Sequence, residues 1–101
     1  MKLMTKEIEK RLPELGSQES VPNPKIIVKF FTPWSNWSWF AYEGEKQPDG
    51  DWLFFGMVYG HEKELGYFRL KQLEGLRGPK MGLRVERDLY FGYGHKLNEF
   101  R

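Results

Sequence analysis

The chain has 101 residues, 40% of them hydrophobic and 17% aromatic, with a formal net charge of +2 and no cysteine. That length suffices for one core and is too short for two, so residues 1–101 are expected to form a single domain. The missing cysteines exclude a disulfide framework, a thiol nucleophile and a cysteine–zinc site. No run approaches the ~18 apolar residues of a membrane span.

Charge is unevenly spread. Residues 26–67 carry three basic against six acidic groups, and residues 68–101 carry eight against four. The basic cluster is Arg69, Lys71, Arg77, Lys80 and Arg84, interrupted only by Glu74. It reads either as a solvated face or as a site for phosphate or an acidic partner. Met1–Ile8 lacks the apolar core of a signal peptide, so the expected location is cytoplasmic.

Thr5 is a good helix N-cap, and Met4, Ile8, Leu12 and Leu15 follow at helical spacing. Pro13 should end the helix near Arg11, because proline lacks an N–H and disfavours a helical residue before it. Gly16–Pro24 reads as a linker between elements, and Lys25–Phe31 as a strand broken by Thr32-Pro33.

Trp34 to Tyr59 is the aromatic centre of the chain. Residues 37–43 and 52–59 have the aromatic and branched side chains that suit a pleated surface, and Pro48 and Asp49-Gly50 mark a turn between them. The expected register sets Glu43 against Trp52, Ala41 against Phe54, Trp39 against Gly56 and Trp37 against Val58. Phe40 and Tyr42 then share the other face with Leu53, Phe55 and Met57. Both faces are apolar, whereas a sheet with one wet face alternates apolar with polar. Trp37, Trp39, Trp52 and Phe54 left uncovered would expose on the order of 600–1,000 Å², more than a typical monomer shows in one patch. Either the rest of the chain covers both faces, or one face is an interface.

Gly60–Gly66 reads as a polar connection and Tyr67-Phe68 as a short extended piece. Leu70, Leu73 and Leu76 mark a second helix of about two turns, ending near Gly75 or Gly78. A last strand is expected over Leu83–Phe91. The tail, residues 92–101, is expected to be loosely held, with Leu97 and Phe100 as docking side chains. The fold class is α+β: a four- to five-stranded, mostly antiparallel sheet with an N-terminal helix and a second short helix packed on it.

Reactive constellations are sparse. Glu86 and Asp88 would share a strand face and are the weak catalytic candidates, as acid and base. Arg87 between them would need a carboxylate, with Glu43 as the expected ion-pair partner. His61 and His95 lie in no metal-binding spacing, and Ser35 and Ser38 have no nucleophile elbow, so neither metal nor cofactor is expected.

Met1-Lys-Leu-Met-Thr-Lys-Glu-Ile-Glu-Lys, Lys29-Phe30-Phe31-Thr32-Pro33, Asn36-Trp37-Ser-Trp39, Phe54-Phe55-Gly56, Glu64-Leu65-Gly66-Tyr67-Phe68 and Glu86-Arg87-Asp88-Leu89-Tyr90-Phe91 occur in that order. Together they resemble the small proteins grouped as domain of unknown function 2958. The resemblance implies a setting on plasmids, conjugative elements or phages, and no defined activity. Where those proteins often carry a serine suited to cap the second helix, this chain has Arg69.

The leading expectation is a non-enzymatic interaction module of a mobile element. It would bind a protein partner, or a second copy of itself, through Trp37, Trp39, Trp52, Arg69, Lys71, Arg77 and Arg84, with counter-defence as the setting. The alternative is single-stranded nucleic-acid or nucleotide binding, in which those tryptophans stack bases and the cations meet phosphates. An enzyme using Glu86 and Asp88 is the third reading.

Overall fold

The computed structural model describes residues 1–101. Five antiparallel strands form one open sheet, joined by two short helices and a C-terminal turn, an α+β arrangement. In chain order these are α1 (Lys6–Arg11), β1 (Val28–Phe31), β2 (Ser38–Lys46), β3 (Trp52–Tyr59), β4 (Lys63–Arg69), α2 (Leu70–Gly75), β5 (Glu86–Arg87) and a 3₁₀ turn over Leu97–Phe100. Across the sheet the order is β4-β3-β2-β1-β5. No helix is long and apolar enough to cross a membrane.

Helix α1 follows its local signals. The Thr5 hydroxyl accepts the Ile8 N–H at 3.2 Å, and Leu12 leaves the helix in an extended conformation before Pro13. Helix α2 has no capping serine, and its cap comes from elsewhere. The buried Asp51 carboxylate, in the β2–β3 turn, accepts the Lys71 N–H at 3.0 Å. Gln72 folds back to accept the Arg69 N–H at 3.4 Å.

The central hairpin differs in register from the expectation. Trp39 faces Val58 and Ala41 faces Gly56, a slip of two residues, and beyond a bulge at Tyr42 the pairs run from Glu43–Phe55 to Lys46–Trp52. The cause is a tight turn. Gln47 and Asp51 close it with an N–H to carbonyl bond of 2.8 Å, and Gly50 takes a left-handed φ of 86°. Both strands therefore run on to Lys46 and Trp52. Because side chains alternate with period two, the slip of two leaves Trp39 and Ala41 on the expected face, whereas past the bulge the slip is three and Glu43 moves to the Phe55 face.

The two faces carry two cores. On one, Leu3, Met4, Ile8, Leu70 and Leu73 pack over Val28, Phe30, Trp39, Ala41, Phe54 and Phe68. On the other, Ile26 and Leu97 pack with Phe40, Tyr42 and Met57. The tail docks through Leu97 and Phe100, the two side chains expected to do so. Leu97 is fully buried, Phe100 stacks on Phe40 with ring centroids 4.3 Å apart, and the Tyr59 hydroxyl donates to the Phe100 carbonyl. A tail closing one face of an apolar sheet removes aromatic surface that water would otherwise wet.

Three further expectations are corrected. Lys63–Gly66 belong to strand β4 and not to a connection; on this edge strand the charged side chains stand in solvent, so no alternation marks it. The last strand shrinks to Glu86–Arg87, since Asp88 turns the chain away by accepting the Tyr90 N–H at 3.0 Å. Arg87 and Glu43 do not pair. Arg87 donates to the carbonyls of Lys2 and Leu3, and the buried Glu43 carboxylate accepts the N–H groups of Gly16 and Gln18, both at 2.8 Å. Main-chain partners satisfy each charge without the other.

Candidate functional site

Cover is incomplete over one end of the first face. There the sheet forms the floor of a cleft of about 590 Å³, lined by Trp34, Trp37, Trp39, Val58, Phe68 and Leu76, with Thr32, Ser35, Gln72 and Arg77 as its polar groups. Tyr67 also borders it, although its ring packs against Phe55 on the opposite face, 4.8 Å between centroids. A smaller hollow bounded by Trp37, Val58, Gly60, His61, Glu62 and Glu64 adjoins it. The size and lining are those of a ligand pocket: mostly apolar and aromatic, with a few polar groups.

The wall comes from the loop that follows β1. Buried Thr32 organises it: its N–H donates to the Trp37 carbonyl at 3.0 Å, its hydroxyl accepts the Trp37 N–H at 3.2 Å, and its Oγ1 also bonds the Ser35 hydroxyl. This closed loop presents Trp34 and Trp37 on the same side. Each indole rests on a glycine. A Cβ at Gly60 would overlap the six-membered ring of Trp37, and one at Gly78 would lie 3.0 Å from Trp34 Cδ2. Gly78 is brought there by a return of the chain, its N–H bonding the Leu83 carbonyl at 2.7 Å. His61 meets Trp37 edge-on at 5.7 Å.

Helix α2 supplies the other wall. Leu70 and Leu73 are buried in the core, which leaves Gln72 and Leu76 toward the cleft. At its end Arg77 donates to the carbonyls of Glu74 and Leu76 at 2.7 and 2.9 Å, holding the guanidinium beside the opening. The cleft is therefore cationic at Arg77, and the hollow adjoining it is anionic at Glu62 and Glu64.

The seven residues expected to bind do not form one surface. Trp37 lines the cleft. Trp39 forms its floor but is 5% exposed and belongs to the core. Trp52 packs, half-buried, against the same core away from the cleft. Arg69 pairs with Asp51 at 3.7 Å, and the Lys71 ammonium reaches the Asp49 carbonyl at 3.4 Å, so both serve the β2–β3 turn. Arg77 lies at the cleft, and Arg84 is exposed in the loop bridged to it. Trp34, Gln72 and Leu76 line the cleft without being among the seven; of these Trp34 has the clearest signal in the sequence, as a tryptophan between Pro33 and Ser35-Asn36, outside any strand.

Glu86 and Asp88 show no joint site. Asp88 pairs with Lys29 at 3.7 Å and lies in a hollow of about 200 Å³ beside Arg87 and Tyr93 that does not include Glu86. His95 bonds Glu99 at 2.8 Å within the docked tail. No group of three His, Asp or Glu side chains is placed to hold a metal ion.

Sequence comparison agrees with the ordered motifs. The family model described as "Protein of unknown function (DUF2958)" matches residues 3–101, and the chain belongs to that family. Neither a curated protein nor a solved structure matches it.

Proposed function

We propose that this chain is a non-enzymatic interaction module that binds a protein partner in the Trp34–Trp37 cleft. The observation that carries the reading is the cleft itself: two indoles seated on glycines, an apolar floor, and one arginine at the rim. Tryptophan, tyrosine and arginine dominate the binding energy of protein interfaces, and they do so where they line a desolvated pocket. The paired signs, Arg77 at the cleft and Glu62 and Glu64 in the hollow adjoining it, suit a polypeptide carrying both charges. The setting is that of the family resemblance, the cytoplasm of a cell hosting a plasmid or phage, with counter-defence as the role.

Nucleotide binding is the second reading, favoured by Arg77 lying beside Trp34 as a phosphate ligand would beside a stacked base. Against it, the Lys71 ammonium is engaged by the β2–β3 turn, and Glu62 and Glu64, beside the cleft, repel a polyanion there. Affinity capture with the wild type and with Trp34→Ala/Trp37→Ala separates the two. Proteins retained only by the wild type support the first reading; a salt-sensitive oligonucleotide lost with the same variant supports the second.

A further inference from the structure

We infer that the open edge of β4 receives an extended, acid-ended segment of the partner as a sixth strand of the sheet. This inference rests on the reading above that the partner is a protein. It stands on the backbone of β4 and not on the cleft walls.

The sheet has two edges, and they differ. β5 is two residues long, whereas β4 runs for seven, Lys63 to Arg69, with no proline and no bulge. Its ladder to β3 fixes which groups are free. Gly60 N–H bonds the Glu62 carbonyl at 3.1 Å in the turn, and the register pairs Val58 with Glu64, Gly56 with Gly66 and Phe54 with Phe68. In an antiparallel ladder alternate residues exchange both bonds, so these even-numbered residues bond β3. The N–H and C=O groups of Lys63, Leu65 and Tyr67 point away from the sheet. The Arg69 N–H agrees: it turns to the Gln72 side chain, not to β3. An edge of this kind is a template for another strand, and proteins usually blunt it.

The side chains state what the added strand should carry. Lys63, Leu65, Tyr67 and Arg69 share one face, a stripe with a cation at each end and two apolar side chains, 42% and 64% exposed, between them. Arg69 gives Asp51 one long contact of 3.7 Å and keeps further donors. Opposite-charge pairs across strands stabilise a sheet and like charges oppose it. The fitting segment therefore has carboxylates at both ends and apolar residues between. On the other face Gly66 leaves open space where a Cβ would sit, room for one large side chain next to Phe68 and the cleft. A second copy of this chain fits worse, since full pairing about Gly66 sets Lys63 against Arg69 at both ends.

The probe is the capped, fluorescein-labelled heptapeptide Glu-Thr-Val-Phe-Val-Thr-Glu, which as an antiparallel sixth strand sets its two glutamates against Arg69 and Lys63 and its two valines, with their N–H groups toward β4, against Tyr67 and Leu65. Fluorescence anisotropy with the full chain should show binding, and the lysine-ended analogue should bind at least about tenfold more weakly. N-methylation of both valines should abolish binding, because it removes ladder donors without altering the protein. Leu65→Pro, which deletes an outward N–H and no bond to β3, should weaken binding by about tenfold or more, while Leu65→Ala weakens it less. Amide exchange at Leu65 and Tyr67 should slow in the complex.

Equal binding of the two peptides, tolerance of N-methylation, or no binding of the acidic peptide overturns the inference. So does a wild-type dimer that Leu65→Pro dissolves, which would give the edge to a second copy. Partner capture lost in Trp34→Ala but kept in Leu65→Pro also overturns it, and leaves the cleft reading standing. Capture lost in Leu65→Pro but kept in Trp34→Ala/Trp37→Ala would instead sink the cleft reading alone.

Discussion

The far edge of the Trp37 indole lies directly over Gly60, with no room for a β-carbon between them. The glycine follows the last residue of β3 and the tryptophan precedes the first of β2, so the two pin the end of the hairpin as well as one wall of the cleft. Gly60→Ala should lift the ring into the cleft at a cost of about 1 kcal/mol, the low end for overpacking, because the displaced ring edge has open space to enter. The checks are tryptophan fluorescence, which should report a wetter indole, and a urea midpoint only slightly lowered.

Asp51 carries the cap of α2. Burial raises the pKa of its carboxyl, but N–H donation from Lys71 and Trp52 and the charges of Lys71 and Arg69 outweigh it, holding the group below the usual carboxylate range. A depressed acid contributes stability that is fully present above its unfolded pKa, about 4, and is lost as pH falls through the folded value. The wild type should therefore lose stability on acidification below about pH 4, and Asp51→Asn should flatten that part of the profile. Asp51→Ala, which leaves two N–H groups without their acceptor, should cost about 1–3 kcal/mol at neutral pH. Urea unfolding from acid to neutral pH measures both.

Much of this arrangement is legible in the sequence where periodicity is local. The Thr5 cap, the Pro13 stop and the apolar faces of the aromatic hairpin follow from spacing alone; those faces survive the two-residue slip up to Ala41, and only the bulge at Tyr42, which moves Glu43 to the other face, is hidden. What is hidden depends on solvent or on distance along the chain. β4 is an edge whose Lys63 and Glu64 stand in water, so nothing alternates. The last strand is overread, because Leu83 and Leu89 keep the pattern while lying exposed in turns. The cleft stays out of view since its parts, Trp34, Gly60 and Gly78, meet only after folding. Likewise the cap that Arg69 cannot provide comes from Asp51, across a whole hairpin.

Glu43 ties the segment after α1 to the sheet with one buried carboxylate, both oxygens occupied by N–H donors. Glu43→Gln keeps the shape but turns an NH₂ toward one of those donors. The expected loss is about 1–3 kcal/mol, with faster amide exchange at Gly16 and Gln18. Glu43→Gln as stable as the wild type would show that the segment is held by other contacts.

The docked tail predicts its own cost. Leu97 is 1% exposed under the second core, so Leu97→Ala should destabilise by about 2–5 kcal/mol. Phe100→Ala, at a partly buried ring stacked on Phe40, should cost less, about 1–3 kcal/mol. Thermal unfolding of both variants is the measurement, and a loosely held tail would leave the midpoint unchanged.

The most direct test of the cleft is photo-crosslinking in the producing cells, with a benzophenone amino acid replacing Leu76 at the cleft wall or Lys10 on the exposed side of α1. A protein partner crosslinked from position 76, absent from position 10, and lost when Trp34→Ala/Trp37→Ala is added to a chain of unchanged thermal midpoint is the predicted result. The same proteins crosslinked equally from both positions, or undiminished by the double substitution, would contradict the cleft as the binding site.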